Sequence, residues 1–141
     1  MSVIRWKEFY NVNVKKIDEQ HQKMAELLNG LLDMMSVAGN DEALIRGFSE
    51  LLQYTKNHIL YENELMEIYQ FPRSIELKKV HGNLLKQLEA IDNKIKEGRI
   101  DFRGDILVFL NLTEFLKNWL INHVLHTDKE LGQWLNNRGV Y

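Results

Sequence analysis

The chain has 141 residues, 45% hydrophobic and 27% charged, with a formal net charge of −2. That size and mix fit one globular domain and not a disordered segment, and the near-neutral balance gives no overall pull toward nucleic acid or anionic lipid. Cysteine is absent, which removes disulfides, thiolate zinc sites, iron–sulfur clusters and cysteine nucleophiles, and agrees with a reducing, cytoplasmic setting.

The N-terminal stretch MSVIRWKEFYNVNVKK lacks the continuous apolar core of a secretory signal, and no apolar run approaches the ~20 residues that span a bilayer. Its Ile4, Trp6, Phe9 and Tyr10 are too apolar to hang free, so an arm over residues 1–17 is expected to pack across the rest. Asp18 reads as the cap of a first helix running to about Val37, with Met24, Leu28, Leu31 and Met35 on one stripe. Ala38-Gly39-Asn40-Asp41 reads as a turn, with Asp41 capping the second helix. There Leu44, Phe48, Leu51, Thr55, His58, Glu62 and Leu65 alternate at spacings of four and three, the inward seam of a bundle helix.

Pro72, the only proline, suits the first turn of a third helix carrying Leu77, His81, Leu84, Leu88, Ile91 and Ile95 inward. Gly98 is its expected left-handed terminator. A fourth helix runs from about Asp105 with Phe109, Leu112, Leu116, Trp119 and His123 on its seam, stopping near Thr127-Asp128. A short tail helix with Leu131 and Trp134 follows. The pattern predicts an all-α, up-down-up-down four-helix bundle in one domain over 1–141: arm 1–17, bundle about 18–128, tail 129–141.

Four of the five histidines, His21, His58, His81 and His123, fall on the inward stripes, one per helix. A lone core histidine is an ordinary hydrogen-bonded residue, but four in a dry interior exhaust the polar partners available. Glu62 lies one turn after His58 in HILYE, on the same face, and Asp128 follows His123 by five residues in HVLHTD. A buried unpaired carboxylate is costly and needs a cation. Four imidazoles and two carboxylates in one layer read as a dinuclear metal site. The sulfur-free donor set suits iron or manganese, with zinc as competitor.

IDEQH ending at His21, HILYE at 58–62, FP followed by His81, and FLKNWLINHV leading into HVLHTDKELG, all behind an arm with Trp6, form an ordered set that spans nearly the whole chain. In this set the chain resembles the hemerythrins, and among them the single-domain bacteriohemerythrins. The resemblance implies two non-haem iron ions joined by an oxo or hydroxo bridge. His21 and His58 would hold one iron, His81 and His123 the other, and Glu62 and Asp128 would bridge them. It implies dioxygen as ligand at the two-histidine iron, in a pocket lined by Met24, Ile59, Trp119, Leu120 and Val124. The plain alternative is that those five are simply core.

The chain departs from the family at LKKVH, where Leu77 stands in place of the first histidine of HxxxH. Three outcomes are open. Water fills the gap, which ranks first; another side chain moves in, with His126 one turn past His123 the candidate; or the site holds one metal or none. Glu76 neighbours Leu77 but points about 100° away on a helix. The leading function is reversible dioxygen binding for carriage, storage or sensing. The alternatives are a di-iron oxidase or peroxide-reducing enzyme that exploits the more open iron, and a metal-poor helical interaction module.

Overall fold

A computed structural model describes residues 4–35, 41–98 and 106–141. The side chains of residues 35, 41, 106–110, 112 and 124–126 lie outside the described set, and with them two expected site residues, Val124 and His126, and the expected seam positions Met35, Phe109 and Leu112. The turn expected at Ala38-Gly39-Asn40 and the start expected at Asp105 also fall outside it.

All regular secondary structure among the described residues is helical, with no strand. A single 3-10 turn, Glu8–Tyr10, interrupts the arm. Helix α1 spans Lys15–Met35, α2 Asp41–Ile68, α3 Ser74–Lys96 and α4 Ile106–Asn122. A π-helical turn, His123–Asp128, joins α4 to α5, Lys129–Asn136. Helix α1 packs against α2 and α4, and α2 against α3, giving the up-down-up-down bundle. No described helix is long and apolar enough to cross a membrane.

The α2 seam is buried at every expected position, from Leu44 through Thr55, His58 and Glu62 to Leu65. On α3, Leu77, His81, Leu88 and Ile95 are buried, and Leu84 and Ile91 are half-buried. Gly98 ends α3 at φ 68°, a conformation glycine adopts without steric cost.

Four local expectations need correction. Helix α1 starts at Lys15, so Asp18 is not its cap. Its carboxylate instead accepts the backbone N–H groups of Val12 (2.7 Å) and Asn13 (3.1 Å), which ties the arm down. Pro72 lies in the turn ahead of α3, which starts at Ser74. Phe9, expected in the arm's buried face, is 67% exposed; the 3-10 turn directs it outward, where Lys129 Nζ sits 4.0 Å from its ring. Ile4, in contrast, is buried, and its N–H and C=O both pair with the Asn29 amide. Finally, the fourth helix does not stop near Thr127-Asp128. It continues through the π turn into α5, with helical backbone at both Asp128 and Lys129.

The core is two apolar clusters. One gathers Met24, Leu28, Leu51, Leu88, Leu116 and Trp119; the other gathers Val14, Ile17, Leu65, Phe71, Leu77 and Leu131. Each fully buried leucine among them stabilises the fold by about 1.5–3 kcal/mol. On every bundle helix the chain passes from one cluster to the other through a histidine: Ile17–His21–Met24, Leu51–His58–Leu65, Leu77–His81–Leu88, and Leu116–His123–Leu131. The two clusters therefore hold a single polar layer between them.

Candidate metal centre

The layer consists of His21 from α1, His58 and Glu62 from α2, His81 from α3, and His123 and Asp128 from the π turn. All six are at most 2% exposed. His58 and Glu62 share a face because residues four apart on an α-helix stack; their Nε2 and Oε1 are in direct contact. Asp128 reaches the layer differently. Five residues along an α-helix rotate a side chain by about 140°. The wider π turn, with its i→i+5 hydrogen bonding, brings Asp128 back beneath His123, and its Oδ2 lies 2.7 Å from His123 Nε2. The same oxygen is 2.6 Å from His21 Nε2 and 3.4 Å from His58 Nε2.

Ligand atoms of His21, His58, Glu62, His123 and Asp128 all lie within 4.8 Å of one another. His81 stands at the edge of this group, its Nε2 3.5 Å from Asp128 Oδ1 and its ring centroid 5.2 Å from that of His123. The six residues singled out in the sequence are thus neighbours in one layer.

Hydrogen bonding alone does not satisfy the layer. Nε2 of His58 lies 3.2 Å from Nε2 of His21 and 3.1 Å from Nε2 of His123, so ring nitrogens face one another. Both nitrogens of His81, Nδ1 of His21 and Oε2 of Glu62 are buried without a hydrogen-bond partner among the described residues, and Oε1 of Glu62 meets only the imidazole nitrogens of His58 and His123. Buried polar atoms left in this state carry a large cost unless something else meets them. Imidazole nitrogens and carboxylate oxygens converging with no sulfur present are what a first-row transition-metal cation takes as ligands, so the residues fit such an ion.

The charges lead to the same conclusion. Burial works to lower His58, but the Glu62 carboxylate outweighs it and raises the imidazole to about 8. Burial also opposes protonation of His123, and the Asp128 carboxylate against it raises the ring to about 10. His21 goes the other way: burial lowers it, and Asp128 offsets this only in part. Burial pushes both carboxyls up, but the imidazoles hold Glu62 below its usual range and Asp128 well below. Two carboxylates without a cation recruit two imidazolium protons in its place.

Two residues around the layer were missed from the sequence. Gln20 Oε1 accepts a hydrogen bond from His58 Nδ1 at 2.7 Å, which leaves Nε2 as the lone pair of the neutral ring. Thr127 Oγ1 donates to the His123 carbonyl and lies 3.4 Å from His123 Nδ1. Adjacency to a histidine or aspartate is the only sequence signal either residue carries.

Met24, Ile59, Trp119 and Leu120 are all at most 4% exposed. Trp119 stacks on His123 at 11°, with centroids 6.3 Å apart, and its Nε1 has no acceptor among the described residues. Leu77, one turn before His81, is 7% exposed and belongs to the apolar cluster below the layer. Glu76 points outward to Arg73.

The hemerythrin HHE cation binding domain matches residues 12–135. A bacteriohemerythrin of Pseudomonas aeruginosa is 32% identical over 131 residues, covering 91% of this chain and 78% of its own length. A hemerythrin of Themiste dyscrita is 30% identical over 125 residues, covering 89% and 84%. A crystal structure of wild-type hemerythrin superposes with a TM-score of 0.83 at 24% identity, covering 94% of this chain and 98% of that one, a likeness of fold.

Proposed function

Because this chain belongs to the hemerythrin HHE cation-binding family, we propose that, as a single domain, it binds dioxygen at two non-haem iron ions held in the buried layer. The observation that carries the reading is the layer itself: four imidazoles and two carboxylates, at most 2% exposed, whose ring nitrogens face one another and several of whose buried polar atoms, both nitrogens of His81 among them, have no hydrogen-bond partner among the described residues. His21 and His58 would hold one iron, His81 and His123 the other, and Glu62 and Asp128 would be shared between them. The irons, when bound, supply the electrons and the Lewis acidity for reversible dioxygen uptake.

The chain's own residues do the rest. Gln20 fixes the tautomer of His58, and Thr127 holds the π turn that presents Asp128. Met24, Ile59, Trp119 and Leu120, all buried, would exclude water and protons from the layer. The test is an iron count with an optical spectrum. Two irons per chain, with charge-transfer bands that change reversibly on cycling between argon and air, support the reading. A chain that stays iron-free after expression with ample iron rejects it.

Leu77 favours a second reading, an oxidase or peroxide-reducing enzyme. An apolar side chain where the family carries a histidine would leave the His81 iron more open. Rapid irreversible oxidation with peroxide turnover would support that enzyme over the carrier.

A further inference from the structure

A cavity of about 130 Å³ opens beside the layer, on the side where Leu77 stands. Buried Phe71 and Leu77 form its apolar wall and Thr127 its polar contact, while the exposed side chains of Arg73, Glu76 and Glu130 line it toward solvent. From the cavity, polar atoms lead inward in two short steps. Thr127 Oγ1 lies 3.2 Å from Asp128 Oδ1, and that oxygen lies 3.5 Å from His81 Nε2. The last atom in this series is one of the two unpartnered nitrogens of a histidine that is 1% exposed.

Arg73 ties the mouth together. Its Nη1 donates to Glu130 on α5 at 2.6 Å, and its Nε and Nη2 donate to Glu76 on α3 at 3.0 and 2.7 Å. One guanidinium against two carboxylates leaves net negative charge at the opening, which repels anions. The volume holds a few water-sized molecules and nothing of drug size, since a water occupies about 30 Å³.

We propose that this cavity is an entry and binding site for small neutral hydroxylic molecules, water and hydrogen peroxide, that leads to the His81 side of the layer. Thr127, whose one hydroxyl proton goes to the His123 carbonyl, is their polar contact and accepts from them, and Leu77 is the wall that separates the cavity from His81. The purpose of the route rests on the metal reading above; the cavity and its charge selection do not.

The absence of cysteine allows a clean test, because one introduced thiol is the only thiol in the chain. Leu77→Cys, with Leu88→Cys as a fully buried control on the same helix, is treated with methyl methanethiosulfonate and with its anionic sulfonatoethyl analogue. The neutral reagent should modify Leu77→Cys at least ~10-fold faster than Leu88→Cys, as thiol access dictates. The anionic reagent should lag the neutral one by ~5-fold or more, and the gap should close in a Glu76→Gln/Glu130→Gln background. Should Leu77→Cys fail to fold, Thr127→Cys should give the same order. Labelling as slow as at Leu88, or equal rates for both reagents, overturns the proposal. Iron content of wild-type chain, measured in parallel, separates the two ideas: selective labelling in a chain that binds no iron removes the metal reading and supports the cavity as a site in its own right.

Discussion

Gln20 Oε1 lies 2.7 Å from His58 Nδ1, and this contact between α1 and α2 decides which nitrogen of His58 faces the layer. Replacing Gln20 with Leu removes the acceptor and frees the ring to turn. Iron affinity should fall by roughly 10–100-fold, the usual effect of losing a partner that orients a ligand. Gln20→Glu keeps an acceptor and should retain most of it. Competition titration against a chelator measures both; equal affinity in Gln20→Leu and wild type would remove Gln20 from this role.

Glu62→Ala deletes a carboxylate that contacts His58 directly and lies 3.5 Å from His123. Bound iron should drop below two per chain, with the reversible optical change lost. Full occupancy in this variant, by elemental analysis, would reject the shared-ligand role.

The protons held by the metal-free layer set its pH dependence. His58 at about 8 and His123 at about 10 are both raised above the unfolded value of about 6.5. Their contribution to stability is therefore complete below about pH 6.5 and is lost as pH rises through about 8 and then about 10. The thermal midpoint of metal-free protein should fall by several degrees between pH 7 and pH 10 from this cause, on the order of 2–4 °C per kcal/mol lost. Metal uptake at pH 7 should release about two protons, because bound imidazoles are neutral. Calorimetry in buffers of different ionisation enthalpy reads that number, and zero release would show that the imidazoles carry no protons beforehand.

Leu77→His places an imidazole one turn before His81, at HxxxH spacing. It should slow autoxidation of the iron-loaded protein several-fold by closing the more open iron. A variant whose spectrum shows the added imidazole ligand but whose autoxidation rate is unchanged would count against Leu77 as the cause.

Gly132 on α5 faces the arm so closely that a Cβ there would meet the Val12 carbonyl oxygen at 2.6 Å and Val12 Cβ at 2.7 Å. Gly132→Ala should cost about 1–3 kcal/mol, as overpacked cores do. Val12 cannot retreat freely, because Asp18 holds its N–H. A denaturant melt within 0.5 kcal/mol of wild type, about the scatter of neutral surface changes, would show that the arm yields.

Much of the bundle was legible because its signal is periodic. Every expected seam position of α2 is buried, and the four histidines lie in one layer because each stripe carries one of them. The local misreadings have local causes. Asp18 looks like a cap because aspartate usually is one, but the arm's N–H groups compete for it, and that competition depends on contacts the sequence does not display. Phe9 looks buried because it is aromatic, yet a 3-10 turn sets its direction. Gln20 and Thr127 act through single hydrogen bonds, which leave no periodic trace.

The π turn has a consequence for the phase of the whole last helix. The stripe Leu116, Trp119, Leu120, His123, continued at α-helical spacing, would turn Thr127 and Trp134 inward. The buried residues are instead Asp128, Leu131 and Leu135, one place later, while Thr127 and Trp134 are half-buried. The segment behaves as though one residue had been inserted into a uniform helix. Below it, the inward face is read in a shifted frame. One spare residue therefore does two jobs at once, since removing it would take Asp128 out of the layer and rotate Leu131 and Leu135 away from the lower cluster together.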